Sequence, residues 1–313
     1  MDLARTAPSP EICATCGGDG AVFRVQDGRA VAEPCPHTRD CASCGGTGRV
    51  FATDQRGYSV LRGCACGADP RRLALLTGLR LPLKFRDRTL DNFKTYDEAQ
   101  RRAHARARFF VDQFVPQSRG ARALLLCGPP GVGKTHLLTA VLRELALRKG
   151  VRCRYEEFFL LLSDIRDGFS RGLSSREWLE PLREVEVLAI DEIGKGGKNR
   201  DWEQGVLDEI ISVRYNANRP TLFATNYPPR RDSTNETSTP WQFGVEGEIK
   251  ETLEQRVGQR IYSRLHELCD FVEIVTASDF RKEQHDVQRA RDSIQTDTAV
   301  PAGAHGRPRP QRG

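Results

Sequence analysis

The sequence predicts an α/β domain with a five-stranded parallel sheet flanked by helices, preceded by a small cysteine-rich domain. Short apolar runs alternate with helical patterns over the later part of the chain, as they do in parallel sheets. Seven of the ten cysteines, by contrast, lie between residues 13 and 66. The last apolar run is followed by no obvious helical lid, so the sheet domain is expected to lack one.

The composition is that of a globular protein. A length of 313 residues allows one large or two modest domains, and a net charge of +6 permits a nucleic-acid partner without requiring one. The N-terminus lacks the apolar stretch of a secretory signal, and no apolar run approaches the roughly 18 residues of a membrane span. We therefore expect a cytoplasmic protein. Clustered cysteines in that compartment favour metal binding over disulfides.

The cysteine-rich domain, predicted over residues 13–68, contains two similar units. The phrase CATCGGDGAVF at 13–23 returns as CASCGGTGRVF at 41–51. In each unit a CxxC pair is followed, after 18 or 19 residues, by two further ligands. The candidate ligands are Cys13, Cys16, Cys35 and His37 in the first cysteine unit (13–37), and Cys41, Cys44, Cys64 and Cys66 in the second cysteine unit (41–66). Because four ligands fill a tetrahedral zinc shell, two structural Zn²⁺ sites are predicted.

The size of these units also argues for metal. Each has about 25 residues, fewer than the ~40 that a chain usually needs to fold without metal, disulfides or a partner. Short strands are expected at GAVF and GRVF, with a return strand at YSVLRG (58–63). The motifs resemble the CxxCxGxG knuckles of the DnaJ-type chaperone zinc region, whose sites form by crossed pairing. The internal repeat favours uncrossed pairing; crossed pairing and a bystander role for His37 stay open.

A phosphate-binding loop is the most specific motif of the chain. Residues 69–95 are predicted to be a linker and a lead-in to the nucleotide pocket, with one short helix and a proline break. The strand at 123–127 then runs into GPPGVGKT (128–135), and a helix with regularly spaced apolar residues follows. A strand before this motif and a helix after it are the context that phosphate binding requires.

Each residue type in this loop has a physical role. Gly128, Gly131 and Gly133 let backbone N–H groups converge on phosphate, and the helix N-terminus adds partial positive charge. Lys134 is expected to reach the β- and γ-phosphates, and Thr135 to ligate Mg²⁺. The sequence thus predicts that ATP and Mg²⁺ bind here.

Two further strands end in polar residues. VEVLAIDEIG (185–194) ends in Asp191, expected to hold the Mg²⁺ shell, and Glu192, expected to polarise the attacking water. TLFATN (221–226) ends in Asn226, which could hydrogen-bond that water or the γ-phosphate because ligands bind at the carboxyl ends of parallel strands. Ordinary turns after core strands are the plainer alternatives.

The remaining strands and a row of arginines complete the pattern. VRCRY (151–155) and FVEIV (271–275) are the two other predicted strands. Arg256, Arg260 and Arg264 recur every four residues in a helical segment. A solvated helix face explains this spacing; the alternative is an arginine finger that reaches the ATP site of a neighbouring subunit.

Together the motifs resemble the AAA+ ATPases of the DnaC/DnaI/IstB type, which include bacterial helicase loaders and transposition helpers. The resemblance covers roughly residues 84–280 and rests on FRDRTLDNF, GPPGVGKT, LAIDEIG, FATN and GQRIYSRL in that order. It implies an ATPase domain at 96–280 that hydrolyses ATP and forms an ATP-dependent homo-oligomer with nucleotide between subunits. It places Asn226 at the sensor-1 position and makes Arg264, then Arg260, the candidate fingers.

The resemblance also implies contact with single-stranded DNA. The family uses the segment before the Asp191 strand for this purpose, which here is 156–182. That segment mixes aromatic and basic side chains, as stacking and phosphate contact require, with Arg166, Phe169 and Arg171 as candidates. The basic run GKGGKNR (194–200) is a second candidate.

The implied function is helicase loading in DNA replication. In the DnaI branch an N-terminal zinc domain grips the replicative helicase, so the zinc domain here is expected to dock the partner. Two alternatives stay open: a transposition helper that recruits a transposase on duplex DNA, and a zinc-dependent chaperone or adaptor with a regulatory nucleotide site. Residues 1–12 and the basic tail 281–313 are expected to be disordered, and the polar stretch 227–250 is longer than the resemblance predicts.

Overall fold

The computed structural model describes residues 13–17, 19–116, 122–196, 200–229 and 251–275. The termini expected to be disordered lie outside the described residues, as does the polar stretch beyond residue 229. Residues 197–199 of the basic run also lie outside them.

The cysteine-rich domain contains two antiparallel hairpins. Strands β1 (Ala21–Gln26) and β2 (Arg29–Pro34) form the first, and β3 (Arg49–Thr53) and β4 (Ser59–Gly63) form the second. Asp27 and Gly28 connect the first pair with φ values of 50° and 71°, the left-handed conformation that a two-residue hairpin loop requires. The short strands expected after each CxxC motif, and the return strand at 58–63, are present.

The predicted linker packs into the protein core. Helix α1 (Pro70–Gly78) begins after Asp69, whose side chain accepts a hydrogen bond from the Arg71 N–H. A short 3₁₀ turn at Leu83–Phe85 follows, and then helix α2 (Glu98–Gln113). Several side chains of this stretch are buried in the common core: Leu73, Leu76, Leu79, Leu81, Leu90 and Phe93. The segment is therefore an integral part of the common core.

A five-stranded parallel sheet forms the centre of the molecule, as the sequence predicted. Its strands are β5 (Ala123–Cys127), β6 (Cys153–Glu157), β7 (Val187–Asp191), β8 (Thr221–Thr225) and β9 (Cys269–Glu273). Their order is β6-β7-β8-β5-β9, with every neighbouring pair parallel. All residues of β5, β7 and β8 are buried, which is why they read as continuous apolar runs.

Helices cover this sheet. They are α3 (Lys134–Lys149), α4 (Phe158–Ser170), α5 (Ser175–Glu184), α6 (Arg200–Asn216), α7 (Leu253–Val257) and α8 (Gln259–Leu268). Helix α3 ends at Gly150, whose φ of 67° suits a glycine after a helix. Among the described residues, no helix has the length and apolar character needed to cross a membrane.

The two cysteine units differ in their contacts with the rest of the chain. The first cysteine unit is hydrogen-bonded to the α1 region, because Ala30 N–H donates to the Leu81 carbonyl (2.8 Å) and Ala32 N–H to Thr77 Oγ1 (3.0 Å). Asp19 forms an ion pair with Arg143 of α3. The hairpin of the second cysteine unit instead carries exposed apolar side chains.

Candidate nucleotide and metal sites

The phosphate-binding loop has the conformation that its glycines permit. It leaves the carboxyl end of β5, and Gly131 and Gly133 adopt φ values of 87° and 99°. A Cβ at Gly128 would lie 2.5 Å from the Ile274 carbonyl oxygen, so the chain passes too close for a side chain there. Helix α3 begins immediately after Gly133, so its free N–H groups face the loop, an arrangement that favours anions.

Lys134 lies inside this loop. It is buried, and its Nζ donates to the carbonyl oxygens of Gly128 (2.7 Å) and Pro129 (2.8 Å). An ammonium group at the centre of a ring of backbone groups is placed to bind phosphate oxygens. Its contacts with the two carbonyls hold the loop in this shape.

Asp191 lies next to the loop at the end of β7. Its Oδ2 accepts hydrogen bonds from the hydroxyls of Thr135 (2.6 Å) and Tyr155 (3.0 Å), and its Oδ1 accepts from the Glu192 N–H (2.9 Å). Burial raises the pKa of the Asp191 carboxyl. The structure thus brings together Thr135 and Asp191, the two oxygen ligands assigned to Mg²⁺, and oxygen is the donor type that this ion prefers.

Glu192 and Asn226 lie at the same edge of the sheet. Glu192 has a φ of 59°, which is uncommon outside glycine, and its carboxylate forms an ion pair with Lys195. That hydrogen-bonded pair raises the pKa of Lys195. Asn226 is half-buried and directly follows Thr225, whose hydroxyl donates to the Ile193 carbonyl (2.9 Å) and so joins the ends of β7 and β8.

The lead-in segment contacts the loop through Phe93. A Cβ at Gly133 would lie 2.6 Å from the Phe93 ring, so the ring is packed directly against the loop backbone. Phe93 also stacks on His104 (centroids 5.6 Å apart) and meets His136 edge-on (5.0 Å). Burial lowers the pKa of His136. Sequence patterns alone did not reveal these contacts.

Comparison with known proteins identifies the family. Residues 71–230, about half of the chain, match the family described as IstB-like ATP binding protein. The chain belongs to this family. The resemblance to DnaC/DnaI/IstB-type AAA+ proteins is therefore confirmed, together with the predicted fold class.

Individual relatives agree with this assignment. The replicative helicase loader DnaC of Escherichia coli strain K12 is 31% identical over 139 residues, which are 44% of this chain and 55% of that protein. The phage-like element PBSX protein XkdC of Bacillus subtilis strain 168 is 26% identical over 229 residues, which are 71% of this chain and 77% of that protein. This chain thus spans only about half the length of DnaC.

The solved structures include one informative match. The protein in the crystal structure of the DnaC helicase loader has 26% sequence identity to this chain, and the two structures superpose with a TM-score of 0.51. The matched region comprises 61% of this chain and 99% of the DnaC chain.

The three regularly spaced arginines of this IstB-like protein have different surroundings. Arg264 is partly buried and donates to Asp208 Oδ1 (2.7 Å), which ties α8 to α6. Arg260 lies 3.4 Å from the same carboxylate, and 73% of its side chain is exposed. Arg256 donates to the Gly194 carbonyl (2.6 Å) behind the Asp191 strand. Arg260 is therefore the most exposed of the three side chains, and it shares the Asp208 carboxylate with Arg264.

The candidate DNA-binding residues all lie on or just after α4. Arg166 packs over the Trp202 ring (4.4 Å) and lies 3.6 Å from Glu203, so it is engaged with α6. Phe169 and Arg171 are exposed near the end of α4. An exposed ring and guanidinium close together in sequence suit base stacking and phosphate contact better than Arg166 does.

The structure groups the cysteine-unit residues into two clusters. One contains Cys13, Cys16, Cys35 and His37, the other Cys41, Cys44, Cys64 and Cys66; in each, the ligand atoms all lie within 4.8 Å of one another. The grouping follows the order of the repeat.

The cluster geometry fits zinc. Sulfur atoms of Cys13 and Cys35 are 3.9 Å apart, and those of the pairs Cys41–Cys64 and Cys44–Cys66 are 3.7 Å apart. Tetrahedral zinc with Zn–S bonds of about 2.3 Å separates its sulfurs by about 3.8 Å. Backbone N–H groups, first that of Cys16, lower the pKa of Cys13 to about 6, so this thiol readily becomes the thiolate that zinc binds.

Proposed function

We propose that this protein is an ATP-hydrolysing AAA+ ATPase that loads or remodels a replicative helicase during DNA replication. The observation that supports it best is the hydrogen bond from Thr135 to Asp191, beside the buried Lys134. It joins the phosphate-binding loop to the carboxylate pair in one site. Membership of an ATP-binding family and similarity to the replicative helicase loader DnaC support the same proposal.

The proposed reaction uses groups already close together. On ATP binding, Lys134 exchanges its contacts with the Gly128 and Pro129 carbonyls for phosphate oxygens. Thr135 and Asp191 would hold Mg²⁺, which would neutralise charge on the phosphates. Glu192 leaves Lys195 and accepts a proton from the attacking water, and Asn226 orients that water or the γ-phosphate. The water oxygen bonds to the γ-phosphorus while the bond from that phosphorus to the β–γ bridging oxygen breaks, so that ADP and phosphate leave.

Assembly completes the site in this proposal. Arg260, or Arg264 once it separates from Asp208, reaches the ATP of a neighbouring subunit and stabilises the charge that develops in the transition state. The protein therefore forms a homo-oligomer when ATP is bound. Phe169 and Arg171 then contact single-stranded DNA.

The proposed docking surface for the helicase is the hairpin of the second cysteine unit. Phe51 and Leu61 lie directly opposite each other across β3 and β4, and they are 79% and 52% exposed. Tyr58, which directly precedes β4, is also exposed. An aromatic and aliphatic cluster on a rigid, metal-stabilised hairpin is a typical centre for a protein interface.

A pull-down experiment tests the catalytic and docking proposals together. Glu192→Gln should trap the ATP-bound state and retain a replicative helicase, whereas the same variant carrying Phe51→Ser and Leu61→Ser should lose it. Val25→Ser is the matched control, because Val25 is an exposed apolar residue of the first hairpin. Retention of the helicase by the double serine variant would contradict docking at this surface.

A transposition helper is the second candidate, which the family description as IstB-like favours. It predicts recovery of a transposase and a preference for duplex DNA over single strands. A chaperone or adaptor with a regulatory nucleotide site predicts negligible ATP turnover even with DNA and partner present. Phosphate-release assays with each type of DNA separate these functions.

A further inference from the structure

Tyr155 is a buried residue at the nucleotide site to which the proposed reaction gives no role. Its side chain is only 1% exposed, and its hydroxyl donates to Asp191 Oδ2, the same oxygen that accepts from Thr135. With the Glu192 N–H on the other oxygen, three donors fix the orientation of the Asp191 carboxylate.

The strand that carries Tyr155 is hydrogen-bonded to a residue that is not part of the sheet. Strand β6 is an edge strand, and the Tyr155 N–H donates to the Leu79 carbonyl (2.9 Å) at the end of α1. Alternate residues of a strand point to opposite faces, so the neighbouring Glu156 faces away from Tyr155.

Glu156 connects this strand to the first cysteine unit. Its carboxylate is 1% exposed; Oε2 accepts from Arg29 (3.2 Å) and Oε1 from Arg154 (2.6 Å). Arg29 begins β2 of the first cysteine unit, is mostly buried, and also donates to the Arg80 carbonyl (3.1 Å). A chain of contacts therefore runs from the first cysteine unit through β6 to the Mg²⁺ carboxylate.

We infer that Tyr155 is a positioning residue for the magnesium-binding carboxylate of Asp191, and that the first cysteine unit maintains this position through Arg29 and Glu156. The inference rests on the proposed ATPase function and deepens it. The two cysteine units then have separate tasks: the first supports the nucleotide site, and the second presents the docking surface.

Tyr155→Phe tests the first part, because it removes a single oxygen atom and leaves the packing volume intact. In the full-length protein, the Mg²⁺ concentration for half-maximal ATP hydrolysis should rise by about tenfold, the lower end of what loss of a ligand-orienting partner costs. Binding of a fluorescent ATP analogue in Mg²⁺-free buffer without chelator should stay unchanged. An unchanged Mg²⁺ dependence, or an equal loss of binding with and without Mg²⁺, would overturn the role of Tyr155.

Arg29→Met tests the second part, with Arg24→Met as its control. Arg24 lies on the same hairpin but pairs with Glu33 at the surface. Arg29→Met should shift the Mg²⁺ dependence in the same direction as Tyr155→Phe, and the double variant should show less than the sum of the two effects. Full additivity, or a shift with Arg24→Met as well, would refute the connection. Arg29→Lys should recover most of the effect.

The readouts separate this inference from the proposed function. Mg²⁺-dependent binding of the analogue is measured beside hydrolysis. If the wild-type protein binds the analogue but releases no phosphate, the proposed ATPase function is contradicted. The role of Tyr155 can still be tested in that case from the Mg²⁺ dependence of analogue binding.

Discussion

Glu156→Gln is the substitution that most directly tests how the first cysteine unit is joined to the five-stranded sheet. Glu156 is 1% exposed and is the common partner of Arg29, Arg80 and Arg154. The amide keeps the shape and one acceptor oxygen but loses the negative charge. Three guanidinium groups would then face each other without the carboxylate between them.

The expected loss of stability follows from this geometry. Removing one partner of a buried ion pair costs about 3–5 kcal/mol. Because Arg80 is 41% exposed and the amide oxygen still accepts from one arginine, we expect a value near the lower end, about 3 kcal/mol. For a folded unit of roughly 150–250 residues, this lowers Tm by roughly 6–12 °C.

Differential scanning calorimetry of the zinc-loaded, full-length protein measures this change. Glu33→Gln is the control, since Glu33 pairs with Arg24 at the surface, where such pairs contribute about 0–1 kcal/mol. A Tm of Glu156→Gln that matches the control would refute the view that Glu156 joins β6 to the first cysteine unit.

Three further predictions concern the loop, the metal and the arginines. Gly133→Ala should reduce affinity for a fluorescent ATP analogue more than tenfold, because a Cβ meets Phe93 and φ is 99°; unchanged affinity contradicts the loop geometry. A zinc chelator should release about two metal ions per chain in a colorimetric assay. Cys13→Ser should lower Tm more than Cys41→Ser does, and an equal decrease in Tm for the two variants would contradict the unequal packing of the two cysteine units. Arg260→Ala should lower ATP turnover of the assembled protein without changing nucleotide affinity; full turnover would exclude this arginine as the finger.

The features that the sequence predicted well are those encoded locally. The strands β5, β7 and β8 are mostly apolar, and they lead into the phosphate-binding loop, Glu192 and Asn226, so both the sheet and the candidate site at its edge could be predicted. The two clusters of candidate metal ligands follow from spacing within a repeat of about 25 residues, which needs no knowledge of the rest of the fold. The DnaJ-type likeness of these knuckles stays a prediction.

The contacts that escaped prediction depend on which elements become neighbours. Tyr155 reaches Asp191 only because β6 pairs with β7 in a register that sets Tyr155 opposite Ala189. Likewise, Arg166 meets Trp202 only because α4 lies beside α6. No periodicity within one segment carries this information. The core role of residues 69–95 did have a signal, the density of leucines between 73 and 90, which the linker interpretation passed over.

The repeat itself explains why two similar units pack so differently. Aligning the two phrases sets Asp19 against Thr47, Ala21 against Arg49 and Phe23 against Phe51. In the first cysteine unit, Asp19 pairs with buried Arg143, and Ala21 is small enough to enter the common core. In the second cysteine unit, the uncharged hydroxyl of Thr47 cannot form an ion pair like that between Asp19 and Arg143. The long cationic side chain of Arg49 cannot be buried in the apolar place that Ala21 occupies in the first unit. The aromatic residue that both units share is therefore packed against the core as Phe23 and exposed as Phe51. These differences at positions 47 and 49 match the packing of the first hairpin against the core and the exposed position of Phe51 in the second.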